Sequence, residues 1–321
     1  MDRVRRSLTG TVTATLLAAA LILSACETPP SPPVAEAPAT ATAAVIRPAA
    51  RAETPASAAV RAHYAEVQQA LLSQGLLRTD PGTLDAPFTD RNLTENFLKI
   101  AMYEEYAHGQ ASTTRSQTPI RLLRWEKPLR VSVDFGASVP QARQATDRAR
   151  VESYFTRLSM LTGLSITMTN TAPDFWVHFA SVDERAAMGP ALSRELSDLT
   201  PGQIDAVTNM DPNTYCQVLT QSDPGSNVYT DAVAVIPSEH PDLLRLSCIH
   251  EELAQALGLP NDSNAARPSI FNDDEEFALL TPQDEAMLRI LYNPALRPGM
   301  TESEARPIVQ NLASRLLNGE S

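Results

Sequence analysis

The stretch EELAQALGLPND, residues 251–262, carries side chains whose types and spacing could do chemistry. Glu251 and Gln255 stand four residues apart, which on a helix puts both on one face, one turn from each other. Two donors held in that way, joined by a third that returns after a sharp turn, can grip a metal ion. A carboxylate beside the first donor can then take a proton from a metal-bound water. Glu252 occupies the place of that base, Gly258 the place of the turn, and Asn261 the place of the third donor. The register that starts one residue earlier, at His250, fails: Ala254 falls on the second donor position and Leu257 on the turn. His250 lies about 100° round the helix from Glu251, so it is expected to point away from the donor face, toward the sheet or the surface.

These positions need a scaffold, and the flanking sequence supplies one. LRVSVDF (129–135) alternates as a strand, and VPQARQATDRARVESYFTRLSMLTG (139–163) is a long amphipathic helix with Pro140 near its start and Gly163 at its end. LSITMTN (164–170) and FWVHFAS (175–181) read as strands, 182–212 as irregular with short helices, and DAVAVIP (231–237) as an edge strand beside the motif helix. LTPQDEAMLRILYNP (280–294) is a closing helix with Thr281 as N-cap, Pro282 in the first turn and Asp284 completing a capping box. Ahead of these, AAVRAHYAEVQQALLSQGLLR (58–78) and TDRNLTENFLKIAMYEEYA (89–107) are helical. The predicted class is α+β: a mixed sheet with long helices packed on it and an N-terminal helical segment.

With the helix motif, Gly258, Asp262 after the third donor position, PSIF (268–271) and the closing helix, residues 119–294 resemble a metzincin, specifically matrixin-like, catalytic domain. That family binds zinc through H-E-x-x-H-x-x-G-x-x-H above a Met-containing turn. Phe271 stands at the methionine position, and the closing helix opens with Leu-Thr-Pro and ends in Leu-Tyr as in matrixins. The mature domain also resembles the DUF2927 family of proteobacterial lipoproteins, in PSIFNDD and LYNPALRPGM.

The departures decide what the resemblance implies. All three histidine positions are substituted, by Glu251, Gln255 and Asn261. Glutamate is a competent zinc ligand, but the two amides offer only neutral oxygens, which hold zinc weakly. No cofactor is expected, and the domain is read as a degenerate peptidase whose former cleft binds a peptide or an envelope protein. The alternatives are an active peptidase using zinc or another divalent cation with Glu252 as base, and a purely structural envelope protein.

Other residues carry less. FNDDEEF (271–277) lacks calcium-loop spacing and reads as a solvated turn. His178 reads as a packed or edge residue and Trp125 and Trp176 as core or rim aromatics, while His63, His108 and His240 have no partner at ligand spacing. A net charge of −12 argues against a nucleic-acid partner.

The chain divides into three parts. Residues 1–25 carry Arg3, Arg5 and Arg6 and then an apolar run, an export signal ending in LSAC. That ending resembles a bacterial lipobox, which would make Cys26 the acylated mature N-terminus and the membrane the partner that it binds; the other reading is a plain secretory signal. Glu27 favours the outer membrane, with the domain facing the periplasm. Residues 26–57 are rich in Pro and Ala and form a tether, and 58–321 form a single globular domain, helical over 58–118 and metzincin-like over 119–321. In an oxidising compartment Cys216 and Cys248 are expected to pair, closing a loop of about 30 residues that contributes roughly 3 kcal/mol. The other reading is two separate buried thiols.

Overall fold

Local signals set most helix starts in the computed structural model, which describes residues 52–104 and 118–319. The signal 1–25, Cys26, most of the tether and His108 lie outside the described residues. Helix α1 (Pro55–Ser73) starts inside the stretch assigned to the tether, because Thr54 accepts from the Ser57 amide and Pro55 fills the first turn. Helix α2 (Asp90–Ala101) opens on a capping box between Thr89 and Asn92. A small antiparallel pair follows, β1 (Tyr103–Glu104) with β2 (Thr118–Pro119). Strand β3 (Leu129–Phe135) leads to α3 (Gln141–Thr162), which ends at Gly163 with φ +73°. Next come β4 (Ile166–Met168), β5 (Phe175–Ala180) and three short helices, α4 (Val182–Arg185), α5 (Gly189–Glu195) and α6 (Pro201–Thr208). Strands β6 (Gln217–Asp223) and β7 (Val228–Pro237) precede α7 (Asp242–Gln255), α8 (Pro282–Leu291) and α9 (Glu302–Leu317).

The main sheet has the order β4-β3-β5-β7-β6, with β6 antiparallel to β7 and the other pairs parallel. This is an α+β fold. The strand expected at the edge, 231–237, is interior: β7 pairs with β5 on one side and β6 on the other. The physical reason lies in its residues. Ala232 to Ile236 are all fully buried, the continuous apolar run of a strand covered on both faces. Ala232, Ala234 and Ile236 face the main core, while Val233 and Val235 face a second cluster under α5 and α6 with Leu192, Leu196 and Val207. The edge on that side of the sheet is β6, whose sequence QVLTQSD is polar at most positions, as suits an edge strand.

The helices α3, α7 and α8 pack together, α2 lies on α8 and α9, and α1 lies against α4 and α7. Among the described residues no helix is long and apolar enough to cross a membrane.

Candidate functional site

Helix α7 presents the motif, and it does not cap itself. Its N-cap is Pro241, which makes no side-chain cap bond. Instead, Gln68 of α1 places Oε1 to accept from the amides of Leu243 (3.2 Å) and Leu244 (3.0 Å). Downstream the chain reverses at Gly258, where φ is +119° and a Cβ would come 2.4 Å from the carbonyl oxygen of Leu123. The turn is pinned from outside: Trp125 Nε1 donates to the Ala256 carbonyl at 2.9 Å, and the Tyr292 hydroxyl donates to that of Leu257 at 2.8 Å.

Beside this helix lies a cavity of about 480 Å³. Glu251, Glu252 and Gln255 line it from α7, while Tyr215, Cys216, Gln217 and Val218, at the start of β6, form a second wall. Glu251 and Gln255 therefore share a face as the spacing requires, with Glu252 beside them and only 5% exposed.

Asn261 does not join them. It is fully buried, its Nδ2 donates to the Lys99 carbonyl at 2.8 Å and its own amide donates to that of Ile100 at 3.2 Å, satisfying carbonyls at the end of α2. The next residue takes the place instead: Asp262 lines the cavity, and its Oδ1 accepts from Gln255 Nε2 at 3.0 Å. Among the described residues no three His, Cys, Asp or Glu side chains are placed to share a metal ion.

The loop after Gly258 is more than a solvated turn. Phe271 is fully buried in the main core, and its carbonyl accepts from the Ser263 amide. Asp284 anchors this loop to α8: it accepts from Ser269 Oγ (2.5 Å), the Ile270 amide (3.0 Å), and the amide and hydroxyl of Thr281 (2.8 and 2.9 Å). Burial pushes its carboxyl up to about 6 despite those donors, each of which favours the ionised form. The acidic run that follows is exposed at Asp273 and Asp274, as a solvated turn should be, and it also brings Asp273, Asp274 and Glu275 into the cavity lining. It is held there by Leu77 and Arg78, whose amides donate to the carbonyls of Glu275 and Glu276 at 2.8 Å each.

The histidines take structural places. His250 points away from the cavity as the register predicts, but onto α3 rather than the sheet or the surface. Its ring stacks on Tyr154 with centroids 4.1 Å apart, and Nδ1 accepts from the Leu280 amide at 3.1 Å. Burial pushes it down to about 3, so it stays neutral with its proton on Nε2. His178 Nε2 sits 2.9 Å from Glu195 Oε2, joining β5 to α5. His240 is buried between Tyr64 and Cys248, with ring centroids 4.1 Å from Tyr64 and Nδ1 3.7 Å from Cys248 Sγ.

Cys216 and Cys248 form the expected disulfide, with Cα atoms 5.9 Å apart. It joins the residue before β6 to the middle of α7, and so ties the two cavity walls together. The β6 wall and Asp262 were not foreseen from sequence. The signal available for β6 was its place between turn residues, Asp211-Pro212-Asn213 on one side and Asp223-Pro224-Gly225 on the other.

No curated protein matches the chain. The family model described as "Protein of unknown function (DUF2927)" matches residues 90–311. That span covers the whole main sheet, the motif helix, the loop anchored by Asp284 and most of α9, and the chain belongs to the DUF2927 family.

Proposed function

We propose that this chain is an envelope lipoprotein, anchored in the outer membrane through acylated Cys26 and facing the periplasm. Its metzincin-like domain binds an extended, positively charged peptide or protein segment rather than cutting it. The observation that carries the binding reading is the cavity between α7 and β6. Its lining includes Glu251, Glu252, Asp262, Asp273, Asp274 and Glu275, and no Lys or Arg among the described residues. Carboxylates of one sign gathered in a concave wall attract a cation. A neighbouring edge strand offers the main-chain groups that hold an extended peptide. The helix, the Gly258 turn, the buried Phe271 loop and α8 support the metzincin-like frame.

The donor set does not fit a tightly held zinc. Gln255 and Asn261 offer only neutral amide oxygens, and Asn261 is buried against the end of α2 instead of lining the cavity with Glu251 and Gln255. One feature favours the peptidase alternative: Glu252, in the position of the base, remains on the cavity wall.

Titration calorimetry with a lysine-rich extended peptide and with its glutamate-rich counterpart tests the binding reading. Salt-sensitive binding of the first alone is the expected result; equal binding of both overturns it. Metal content after dialysis, with peptidase assays on the wild type and Glu252→Gln, tests the alternative. Stoichiometric zinc with activity lost in the variant would overturn the non-catalytic reading. For the anchor, Cys26→Ser should move the protein from the membrane pellet to the soluble fraction.

A further inference from the structure

The two sulfurs of the disulfide have unequal surroundings. Cys216 is half-buried and lines the cavity, open to a reagent that enters there. Cys248 is 1% exposed and packed inside α7. Exchange proceeds by attack of a thiolate on one sulfur while the other leaves, so access selects the sulfur attacked and the surroundings decide how well the other departs. We propose that Cys216–Cys248 is a thiol–disulfide exchange site: a dithiol reagent or protein enters the cavity, attacks Cys216 and releases Cys248.

The step balances within those partners. The incoming thiolate forms a bond to Cys216 Sγ as the bond to Cys248 Sγ breaks, and the bonding pair leaves on Cys248. That sulfur takes up a proton, and the second thiol of the reagent then displaces Cys216 as a thiolate. The dithiol is oxidised by two electrons and the protein disulfide is reduced to two thiols. His240 Nδ1, 3.7 Å from Cys248 Sγ, gives the released sulfur a hydrogen-bond partner in either ring tautomer.

The consequence falls on one wall. Helix α7 keeps its other anchors when the bond opens: the Arg245–Asp147 ion pair at 3.0 Å, the Tyr154 hydroxyl donating to the His250 carbonyl at 2.7 Å, and the Gln68 cap. Across the cavity, Asp211, Asn213 and Thr214 make local hydrogen bonds to one another. Reduction therefore loosens the segment that leads into β6 and widens the cavity, while α7 stays in place.

The test uses the folded full chain at neutral pH without denaturant. Dithiothreitol should reduce the bond and expose two titratable thiols from this pair. Glutathione, followed by an acid quench and alkylation, should leave the glutathione mass on the peptide containing Cys216 and the alkyl group on the one containing Cys248. Hydrogen exchange after reduction should rise over 213–216 and stay unchanged over 242–255. A bond that reduces only in denaturant, glutathione carried on Cys248, or unfolding of the whole domain on reduction would each overturn the proposal. If the mixed disulfide is too short-lived to trap, single-cysteine variants decide: the thiol left by Cys248→Ser should be alkylated in the folded protein, and the one left by Cys216→Ser protected. The reverse order overturns it. None of these readouts depends on what the cavity binds.

Discussion

The two sides of helix α7 contrast sharply over a single residue step. On the packing side Arg245 meets Asp147, and the neutral His250 ring is held between Tyr154 and the Leu280 amide. On the cavity side Glu251 and Glu252 stand with Asp262 and the 273–275 acids around an open volume. Like charges gathered beside a cavity do not stabilise a fold, whereas paired buried groups that lose a partner strongly destabilise it. One side of the helix is thus committed to packing, while the other lines the cavity. The contrast also explains why the histidine beside the motif is no ligand: it belongs to the packing side.

Breaking the packing side should cost most. Asp147 is fully buried and Arg245 is 1% exposed; burial pushes the carboxyl up and the guanidinium down to about 10, so each depends on the other for its charge. Asp147→Ala should lose about 3–5 kcal/mol in chemical denaturation, because it strands a buried guanidinium. Gly258→Ala, which forces a Cβ against the Leu123 carbonyl in a left-handed backbone, should cost about 2–4 kcal/mol by the same measurement.

The pH response sharpens the comparison next. His250 has a folded value of about 3 against an ordinary 6.5. The unfolded chain therefore binds the extra proton, and stability is lost as pH falls from 6.5 toward 3. Asp284, raised from 3.8 to about 6, acts in the opposite sense: its contribution is present below 3.8 and lost as pH rises through 6. Unfolding curves of His250→Gln should show a shallower acid loss, on the order of 1–3 kcal/mol less than wild type across that window. Those of Asp284→Asn should show a steeper one.

The cavity side should give the smallest effects. Glu251→Gln and Asp274→Asn should each change stability by no more than about 0.5 kcal/mol, since they remove one of several like charges near water. A loss comparable to that of Asp147→Ala would erase the distinction between the two sides.

Much of this was legible in the sequence because its causes are local. Thr89, Gly163 and Thr281 mark the ends of α2, α3 and α8 where caps predict them. The shared face of Glu251 and Gln255 follows from helix period alone. Helix α9 carries an equally local signal, the Thr301–Glu304 capping box, although Pro307 inside it obscures the pattern. What sequence could not fix was non-local. The place of β7 inside the sheet depends on β6, a polar strand with little apolar rhythm of its own. The choice between Asn261 and Asp262 depends on where the end of α2 puts the carbonyls of Lys99 and Ile100, more than 160 residues away along the chain.

The Gln68 cap gives α7 a kinetic dependence. Its first turn is completed by a residue 175 positions upstream, outside the span that matches the family. Contacts across such a separation form late, because the loop between them must close first. The amides of Leu243 and Leu244 should therefore gain protection in pulse-labelled refolding only after those of β3, β5 and β7. The motif helix would then nucleate from its C-terminal half and finish last at its start. Protection of Leu243 and Leu244 together with the sheet would show that the helix holds its first turn before α1 arrives.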